Sequence, residues 1–259
     1  MTHMENDAYE LPVASARFYQ VVYDAASESH ERFNIGTYRE KKLHLILKRY
    51  FEPDSAYHEI PTEGFIADIL HDGHIIEIES NSLTGLHEKL DAYLPCYSVD
   101  IVYPLAEKRY IIWIDPATGA MTQRRQSPKK ANAYDAIAEC IRLREYLARP
   151  GFRILAALMD IEEYRLLDGW SRNRKKGSHR YERIPLALNR IIILSDKASF
   201  ARWLPEDCPD PCTVREFAAA AHLPLERART VLYVFVAVGI VEQAGKRGRE
   251  ILYRRIFVQ

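Results

Sequence analysis

Three acidic residues lie close together in the sequence, on two short segments that flank a turn. Asp68 precedes the dipeptide Asp72-Gly73, and Glu77 and Glu79 follow it. Asp-Gly between two apolar segments is a strong signal for a two-residue β-hairpin loop, because both positions of a type I′ turn need positive φ. Pairing the strands outward from that loop places Asp68 opposite Glu77, and alternation along the strand turns Glu79 to the same face.

Carboxylates that share one face of a hairpin need a compensating partner, because like charges directly opposite one another destabilise a sheet. A divalent cation would provide it, since hard cations bind carboxylate oxygens. Glu40 adds a fourth acid: it precedes Leu43 by three residues and Leu47 by seven, on the apolar stripe of a predicted helix at residues 37–51. Two alternatives stay open, namely that the hairpin acids face water and that Glu40 forms an ion pair with a lysine.

Around these acids the sequence predicts alternating helices and strands. Apolar stripes at helical spacing predict helices at residues 37–51, 83–94 and 131–147. Segments rich in β-branched and aromatic residues predict strands at residues 56–60, 65–70, 74–80, 97–103 and 109–115. Residues 154–167 fit a strand or a helix equally. The order predicts an α/β fold with a mixed sheet flanked by helices.

This order of elements and acids resembles the PD-(D/E)xK, or restriction-endonuclease-like, nuclease superfamily. The resemblance covers residues 35–118 and rests on Glu40 in the helix, Asp68 in the first hairpin strand, and Glu77-Ile78-Glu79 in the second. It implies a restriction-endonuclease-like mixed sheet and a DNA substrate. It also implies a site in which Asp68, Glu77 and Glu40 bind Mg²⁺ or Mn²⁺.

The chain departs from the superfamily pattern at one position. The superfamily usually has lysine, which orients or activates the attacking water, where this chain has Glu79. Some type II restriction enzymes carry Glu-x-Glu there and are active, which leaves Glu79 as a candidate for orienting the water or accepting its proton. Lys89, on the next predicted helix, is a candidate for the missing positive charge. The alternative is that Glu88 and Lys89 form an exposed pair.

Residues 205–259 carry the signals of a winged helix-turn-helix domain. Thr213 and Glu216 form a capping box, Pro224 opens a second helix and Gly239 ends it. Strands at 240–243 and 250–256 flank a basic tip. Such a second helix enters the major groove while the wing contacts phosphate or the minor groove, although winged helices also act as protein-binding modules. The DNA contacts predicted here are Arg227, Arg229, Lys246, Arg247 and Arg249.

The charge is balanced overall and segregated locally. The 259 residues include 36 Lys and Arg and 36 Asp and Glu, which excludes a uniformly basic nucleic-acid-binding protein. We divide the chain into an acidic N-terminal extension (1–30), the nuclease-like domain (31–150), a connecting segment with a basic loop (151–204) and the winged-helix domain. The DNA contacts predicted in the basic loop are Arg172, Arg174, Lys175 and Lys176.

Two functions fit these patterns. The first is a Mg²⁺-dependent DNA endonuclease targeted by its winged helix, and the second is a non-catalytic DNA-binding or regulatory protein that keeps a nuclease-like scaffold. The whole chain also resembles a group of uncharacterised bacterial proteins with a C-terminal DNA-binding domain. No signal peptide or membrane-length apolar run is present and the four cysteines are scattered, which predicts a cytoplasmic protein without a membrane partner. By analogy, a homodimer is compatible with either function.

Overall fold

The computed structural model describes residues 8–28, 42–147, 149–169 and 177–256. Within these residues eight strands form one sheet and two form a separate hairpin. The strands are β1 (Glu10–Leu11), β2 (His58–Thr62), β3 (Phe65–His71), β4 (His74–Ile78), β5 (Ser98–Ile114), β6 (Arg125–Gln126), β7 (Phe152–Leu166), β8 (His179–Leu194), β9 (Val241–Arg247) and β10 (Glu250–Arg255). The helices are α1 (Ser15–Glu28), α2 (Lys42–Phe51), α3 (His87–Tyr93), α4 (Ala133–Glu139), α5 (Lys197–Ala201), α6 (Val214–Ala220) and α7 (Leu225–Val238).

The large sheet is mixed and has the strand order β1-β8-β7-β5-β4-β3-β2, with β6 pairing β5. Strands β2, β3 and β4 form an antiparallel meander. Strands β4, β5 and β7 run parallel, so α3 and α4 lie in the crossover connections that parallel neighbours require. Helices cover both faces, and the predicted α/β fold with a mixed sheet flanked by helices is therefore confirmed.

The sheet separates two apolar cores. Leu155 and Ala157 of β7 pack in the core under α1 and α2. Ile154 and Ala156 pack in the core that contains α3, α4 and the C-terminal helices. Because neighbouring side chains of a strand point to opposite faces, a strand covered on both sides is apolar throughout. This explains why residues 154–167 carried no periodicity that distinguished a strand from a helix.

The expected connecting segment at residues 151–204 is wrong. Strands β7 and β8 lie there and form central and near-edge positions of the sheet. The expected acidic extension at 1–30 is also more than an extension, because β1 pairs with β8 and α1 buries Phe18 against α2. Both corrections have one cause: distant segments complete the sheet, and local patterns do not report such pairing.

Strand β5 is continuous where the sequence predicted two strands. Its pairing with β4 ends at Val102, and Pro104 follows. The Ser98 N–H and the Val102 carbonyl both form hydrogen bonds on the side of β5 that faces β4. Backbone N–H groups of every second residue point to the same side of a strand, so the missing N–H of Pro104 would also point toward β4. Pairing with β4 has already ended there, and the absent donor therefore leaves no hydrogen bond unmade. Proline is therefore tolerated inside a long strand here, with a bulge between Ala106 and Lys108.

Two predicted helices are shorter than expected. Residues 83–94 begin with a 3₁₀ turn at Leu83–Leu86 before α3, and residues 131–147 continue from α4 into a 3₁₀ turn at Cys140–Leu143. In the part of the chain that the structure describes, no helix is long and apolar enough to cross a membrane.

The C-terminal segment contains two helices followed by a hairpin, as predicted. Thr213 and Glu216 form the capping box, and Gly239 ends α7 with φ +79°. The hairpin loop is Gly248-Arg249, so Lys246 and Arg247 belong to β9 rather than to a longer tip. Phe217 and Phe235 lie in the same apolar cluster as α3 and α4, and the segment is therefore packed onto the sheet domain.

Candidate functional site

The β3–β4 hairpin has the predicted turn and register. Asp72 and Gly73 have φ values of +47° and +75°, the left-handed conformations of a type I′ turn. The paired residues are His71 with His74, Leu70 with Ile75, and Ile69 with Ile76. Pairing stops there, and the Asp68 Oδ2 atom accepts the Ile78 N–H at 2.8 Å instead. Asp68 therefore lies at the point where the two strands separate.

Asp68 is held ionised by its neighbours. Its Oδ2 atom is 3.0 Å from Nε2 of His44, on α2. Burial alone would raise the pKa of Asp68, but the hydrogen bond and charge of His44, the Ile78 N–H and the charge of Lys89 together hold the pKa below its usual value. Asp68 is thus available as an anionic oxygen ligand at neutral pH.

Glu77 is buried and incompletely paired. The residue is 4% exposed, and its Oε2 atom accepts a hydrogen bond from Lys89 Nζ at 2.8 Å. Neither the Oε1 atom nor the buried Tyr93 hydroxyl has a partner at full hydrogen-bonding geometry among the described residues. The two groups are nevertheless close, because burial and then the charge of Glu77 raise the pKa of Tyr93. Burial, followed by repulsion from Asp68, raises the pKa of Glu77 to about 7, and Lys89 offsets only part of the effect.

Lys89 reaches the site from α3, the helix that follows β4. Besides Glu77, its Nζ atom donates to the Ile66 carbonyl at 2.9 Å, which ties the helix to the hairpin. The Lys89 side chain is 26% exposed, so it is partly accessible to solvent. Lys89 therefore contacts Glu77 and does not stand in an exposed pair with Glu88.

The residues present fit a hard divalent cation. Asp68 and Glu77 offer carboxylate oxygens, and a cation beside Glu77 would interact with the Oε1 atom that lacks a hydrogen bond. Within the described ranges no group of three or more His, Cys, Asp or Glu residues could hold a metal ion. Mg²⁺ commonly uses one or two carboxylates and completes its shell with water and phosphate, so two acids are compatible with it. Glu40, the predicted further ligand, lies outside the described residues.

Glu79 does not join this cluster. Its Oε1 atom accepts the Asn81 N–H at 2.7 Å, in the turn that follows β4. The side chain therefore stabilises the end of the strand. The predicted role of Glu79 in orienting water finds no counterpart in this arrangement, because β4 ends at Ile78 and strand alternation no longer applies one residue later.

A second buried acid lies on β5 beside Glu77, on the opposite face of the sheet, because Asp100 pairs with Ile76 and Ile101 pairs with Glu77. Asp100, 3% exposed, accepts hydrogen bonds from Arg153 Nε and Nη2 at 2.7 and 2.6 Å, and His74 Nε2 lies 3.1 Å away. His74 Nδ1 is also 2.8 Å from Ser98 Oγ. Burial would raise the pKa of Asp100, but these partners lower it. The cluster borders a cavity of about 650 Å³, and each of its acid oxygens is paired.

The predicted DNA contacts have different positions. Arg172, Arg174, Lys175 and Lys176 lie outside the described residues. Arg227 was expected to face the major groove, but its Nη1 atom is 2.9 Å from Asp135 on α4. The helix α7 packs against α4, so the side of α7 that carries Arg227 is turned toward the sheet domain.

The remaining predicted contacts are on the exposed side of the C-terminal segment. Arg229 and Arg249 line a cleft of about 300 Å³ together with Arg215 and Glu250, which are paired at 3.3 Å. Lys246 is exposed on β9. Arg247 is exposed as well, but its Nη1 atom is paired with Glu216 Oε1 at 2.6 Å. The cleft between α6, α7 and the hairpin is therefore the basic part of this segment.

Sequence reasoning missed two residues of the carboxylate site. His44 lies four residues after Glu40, so helical spacing places both on one side of the predicted helix, and this signal could have identified it. Tyr93 follows Lys89 by four residues on α3 in the same way. Neither residue type is acidic, and a search for metal ligands alone does not select them.

Comparison with known proteins gives a family and no assigned activity. A protein of Treponema pallidum (strain Nichols), described as an uncharacterized protein, is 29% identical over 222 residues, which cover 85% of this chain and 87% of the relative. No solved structure matches the chain. Residues 41–195 match the family described as a domain of unknown function, DUF8091, and include β2 to β8 and the carboxylate site. This match covers more than half of the chain, which therefore belongs to the DUF8091 family.

Proposed function

We propose that the protein is a magnesium-dependent DNA endonuclease that hydrolyses phosphodiester bonds at Asp68, Glu77 and Lys89. The observation that carries the proposal is the incomplete hydrogen bonding of the Glu77 carboxylate. One carboxylate oxygen is 2.8 Å from Lys89, and the other is buried without a hydrogen-bond partner among the described residues. Burying a charge is costly unless it is paired, so this oxygen favours a bound cation.

The order of elements supports the proposal. Helix α2, strands β2 to β4, helix α3 and strand β5 follow one another in the order expected of a restriction-endonuclease-like core. Strand β4 runs parallel to β5, and Glu77 lies near the carboxyl end of β4. Ligands of open α/β sheets bind beyond the carboxyl ends of the strands.

The residues have separate roles in this proposal. Asp68 and Glu77 would hold Mg²⁺ or Mn²⁺, and Glu40 is the proposed additional ligand. When bound, such a cation lowers the pKa of water and neutralises charge on the scissile phosphate. Lys89 would donate a hydrogen bond to a phosphate oxygen or to the attacking water, as the motif lysine does in the superfamily. His44 would keep Asp68 ionised and oriented.

The C-terminal segment would bring the site to DNA. Its two helices and hairpin follow the order of a winged helix-turn-helix. Arg215, Arg229 and Arg249 line one cleft, and arginine forks bind phosphate oxygens in two-point contacts. In this proposal the segment supplies affinity for the DNA backbone and the carboxylates supply hydrolysis.

A second candidate is a non-catalytic DNA-binding or regulatory protein with a nuclease-like scaffold. The observation that favours it is that Glu77 already contacts Lys89 and Asp68 already contacts His44. Such contacts also occur in purely structural charge clusters. The two candidates differ in one property, since only the first requires a divalent cation at the acids.

DNA cleavage separates the two candidates. Purified protein is incubated with supercoiled and linear DNA in Mg²⁺, in Mn²⁺ and in EDTA. The endonuclease is expected to cut in either metal and not in EDTA, and Asp68→Asn, Glu77→Gln and Lys89→Gln are each expected to lower the rate at least about 100-fold.

The matched control is Lys108→Gln, which removes an exposed lysine that pairs with Asp160 at 3.2 Å. This variant should cut like the wild type. Retarded but intact DNA in every condition, unchanged by the three site substitutions, would support the second candidate and contradict the first.

A further inference from the structure

A polar cavity of about 270 Å³ lies just beyond the carboxyl end of β4. Ser80 lines it and follows Glu77 by three residues, so the cavity begins at most about 10 Å from that acid along the chain. Four arginines contributed by β5, β8 and α7 surround the cavity: Arg109, Arg180, Arg183 and Arg227.

The acids that line this cavity already have partners. Glu163, 2% exposed, is 2.6 Å from Arg165. Asp135 is paired with Arg227 at 2.9 Å. Glu139 accepts hydrogen bonds from the Ser82 hydroxyl and the Leu83 N–H. Glu163 also interacts with the charge of Arg183, and no acid of the lining forms an ion pair with Arg109 or Arg183 at hydrogen-bonding distance within the described residues.

The arginines lie close together, and some of their N–H groups have no hydrogen-bond acceptor among the described residues. Arg183 Nη2 donates to the Ser80 carbonyl at 2.8 Å, whereas a guanidinium carries five N–H donors. Arg180 Nε is 3.6 Å from Glu163, and Arg109 has no side-chain partner among the described residues. Burial and the nearby charge of Arg180 lower the pKa of Arg183 to about 10. The lining contains these four arginines and three acids, so a net positive charge remains that favours an anion.

We propose that Arg109, Arg180 and Arg183 bind a phosphate group of a DNA strand whose scissile bond lies at Asp68 and Glu77. The planar guanidinium fork matches phosphate oxygens in two-point contacts. The short separation between the end of β4 and Ser80 lets one DNA strand reach both places. The inference rests on the proposed function for its choice of DNA, and the phosphate is either internal to the strand or at its 5′ end.

Binding in EDTA tests this inference without cleavage. The affinity of the full-length protein for one labelled oligonucleotide, prepared with and without a 5′-phosphate, is measured over a range of salt concentrations. Arg183→Ala and Arg109→Ala should each lower the affinity about tenfold and flatten its salt dependence, because each removes a charge-assisted contact to phosphate. Arg183→Lys should retain part of the affinity as a point charge.

The control is Arg190→Ala, on the same strand β8, because Arg190 is exposed and pairs with Glu107 away from the cavity. A loss confined to the 5′-phosphorylated oligonucleotide identifies a terminal phosphate, and an equal loss for both identifies an internal one. Unchanged affinity and salt dependence in folded Arg183→Ala and Arg109→Ala would overturn the inference. Because the assay contains no metal, an inactive protein that still shows these losses contradicts the endonuclease alone.

Discussion

Glu77 and Asp100 are two buried acids of the neighbouring parallel strands β4 and β5. They lie one position apart in the register, on opposite faces of the sheet, and their surroundings differ. Asp100 receives two hydrogen bonds from Arg153 and a contact from His74, and its pKa is lowered. Glu77 receives one side-chain hydrogen bond, from Lys89, and a backbone hydrogen bond from Asp68, yet burial raises its pKa to about 7. Both are nearly inaccessible to solvent, so burial alone does not distinguish them.

This difference in hydrogen bonding indicates which of the two buried acids has a structural role. A buried charge that is fully hydrogen-bonded stabilises the fold only while its partners stay, and its removal leaves a polar group unpaired. A buried carboxylate with an unpaired oxygen destabilises the protein unless something else binds there. Asp100 therefore fits a structural ion pair, whereas Glu77 fits a ligand site.

The largest expected effect is on the structural pair. Arg153→Ala should lower the free energy of unfolding by about 3 kcal/mol, because it leaves the buried Asp100 with His74 alone. Lys89→Gln should lower the free energy of unfolding by about 1 kcal/mol or less. Without the lysine Glu77 binds a proton more readily, so no buried charge is left unpaired. Urea unfolding at neutral pH measures both. Equal losses in the two variants would remove the distinction between the sites.

The pH dependence of stability should differ in sign between the two acids. The folded-state pKa of Glu77 is about 7 against an ordinary 4.5, so its stabilising contribution is complete below pH 4.5 and is lost as the pH rises to about 7. The loss amounts to up to about 3 kcal/mol. The contribution of Asp100 is present above its ordinary pKa of 3.8 and is lost as the pH falls.

Glu77→Gln isolates this effect. Without divalent cations, the stability of the variant relative to the wild type should increase between pH 4.5 and pH 7, as unfolding measurements at several pH values would show. If the free energies of unfolding of the two proteins change with pH in parallel, the pKa of Glu77 is not raised and its carboxylate does not lack hydrogen-bond partners.

The same distinction between paired and unpaired groups predicts which arginine of the hairpin contacts DNA. Arg247 is held by Glu216 at 2.6 Å, whereas Arg249 lines the basic cleft without a side-chain partner in the described chain. Arg249→Ala should weaken DNA binding about tenfold and lower the salt slope by about 1, and Arg247→Ala should have a smaller effect. Fluorescence anisotropy against salt concentration measures this, and a larger effect of Arg247→Ala would contradict it.

Local signals accounted for the part of the fold that forms locally. The Asp72-Gly73 turn fixed the register of the β3–β4 hairpin, and the Thr213 cap and Gly239 fixed the ends of the C-terminal helices. Pairing between distant segments was not predictable in this way. Strands β7 and β8 have segments that are apolar on both faces and segments interrupted by polar residues. Neither kind of pattern indicates which strand pairs with them.

The candidate site shows the same division. Strand alternation brought Asp68 and Glu77 to the same region, and a basic residue on the next helix was anticipated in Lys89. The pairing of Arg227 with Asp135 was missed, because it depends on α7 packing against α4, a contact between residues far apart in sequence. Ion pairs between residues far apart in sequence decide whether a charged side chain is free to bind a ligand.

Isothermal titration with Mn²⁺ at pH 8 measures whether Asp68 and Glu77 together bind a divalent cation. We expect a single site per chain that is lost in Asp68→Asn and in Glu77→Gln and kept in Asp100→Asn, with folding verified for each variant. Absence of Mn²⁺ binding in the wild type, or binding that survives both site substitutions, would contradict the claim.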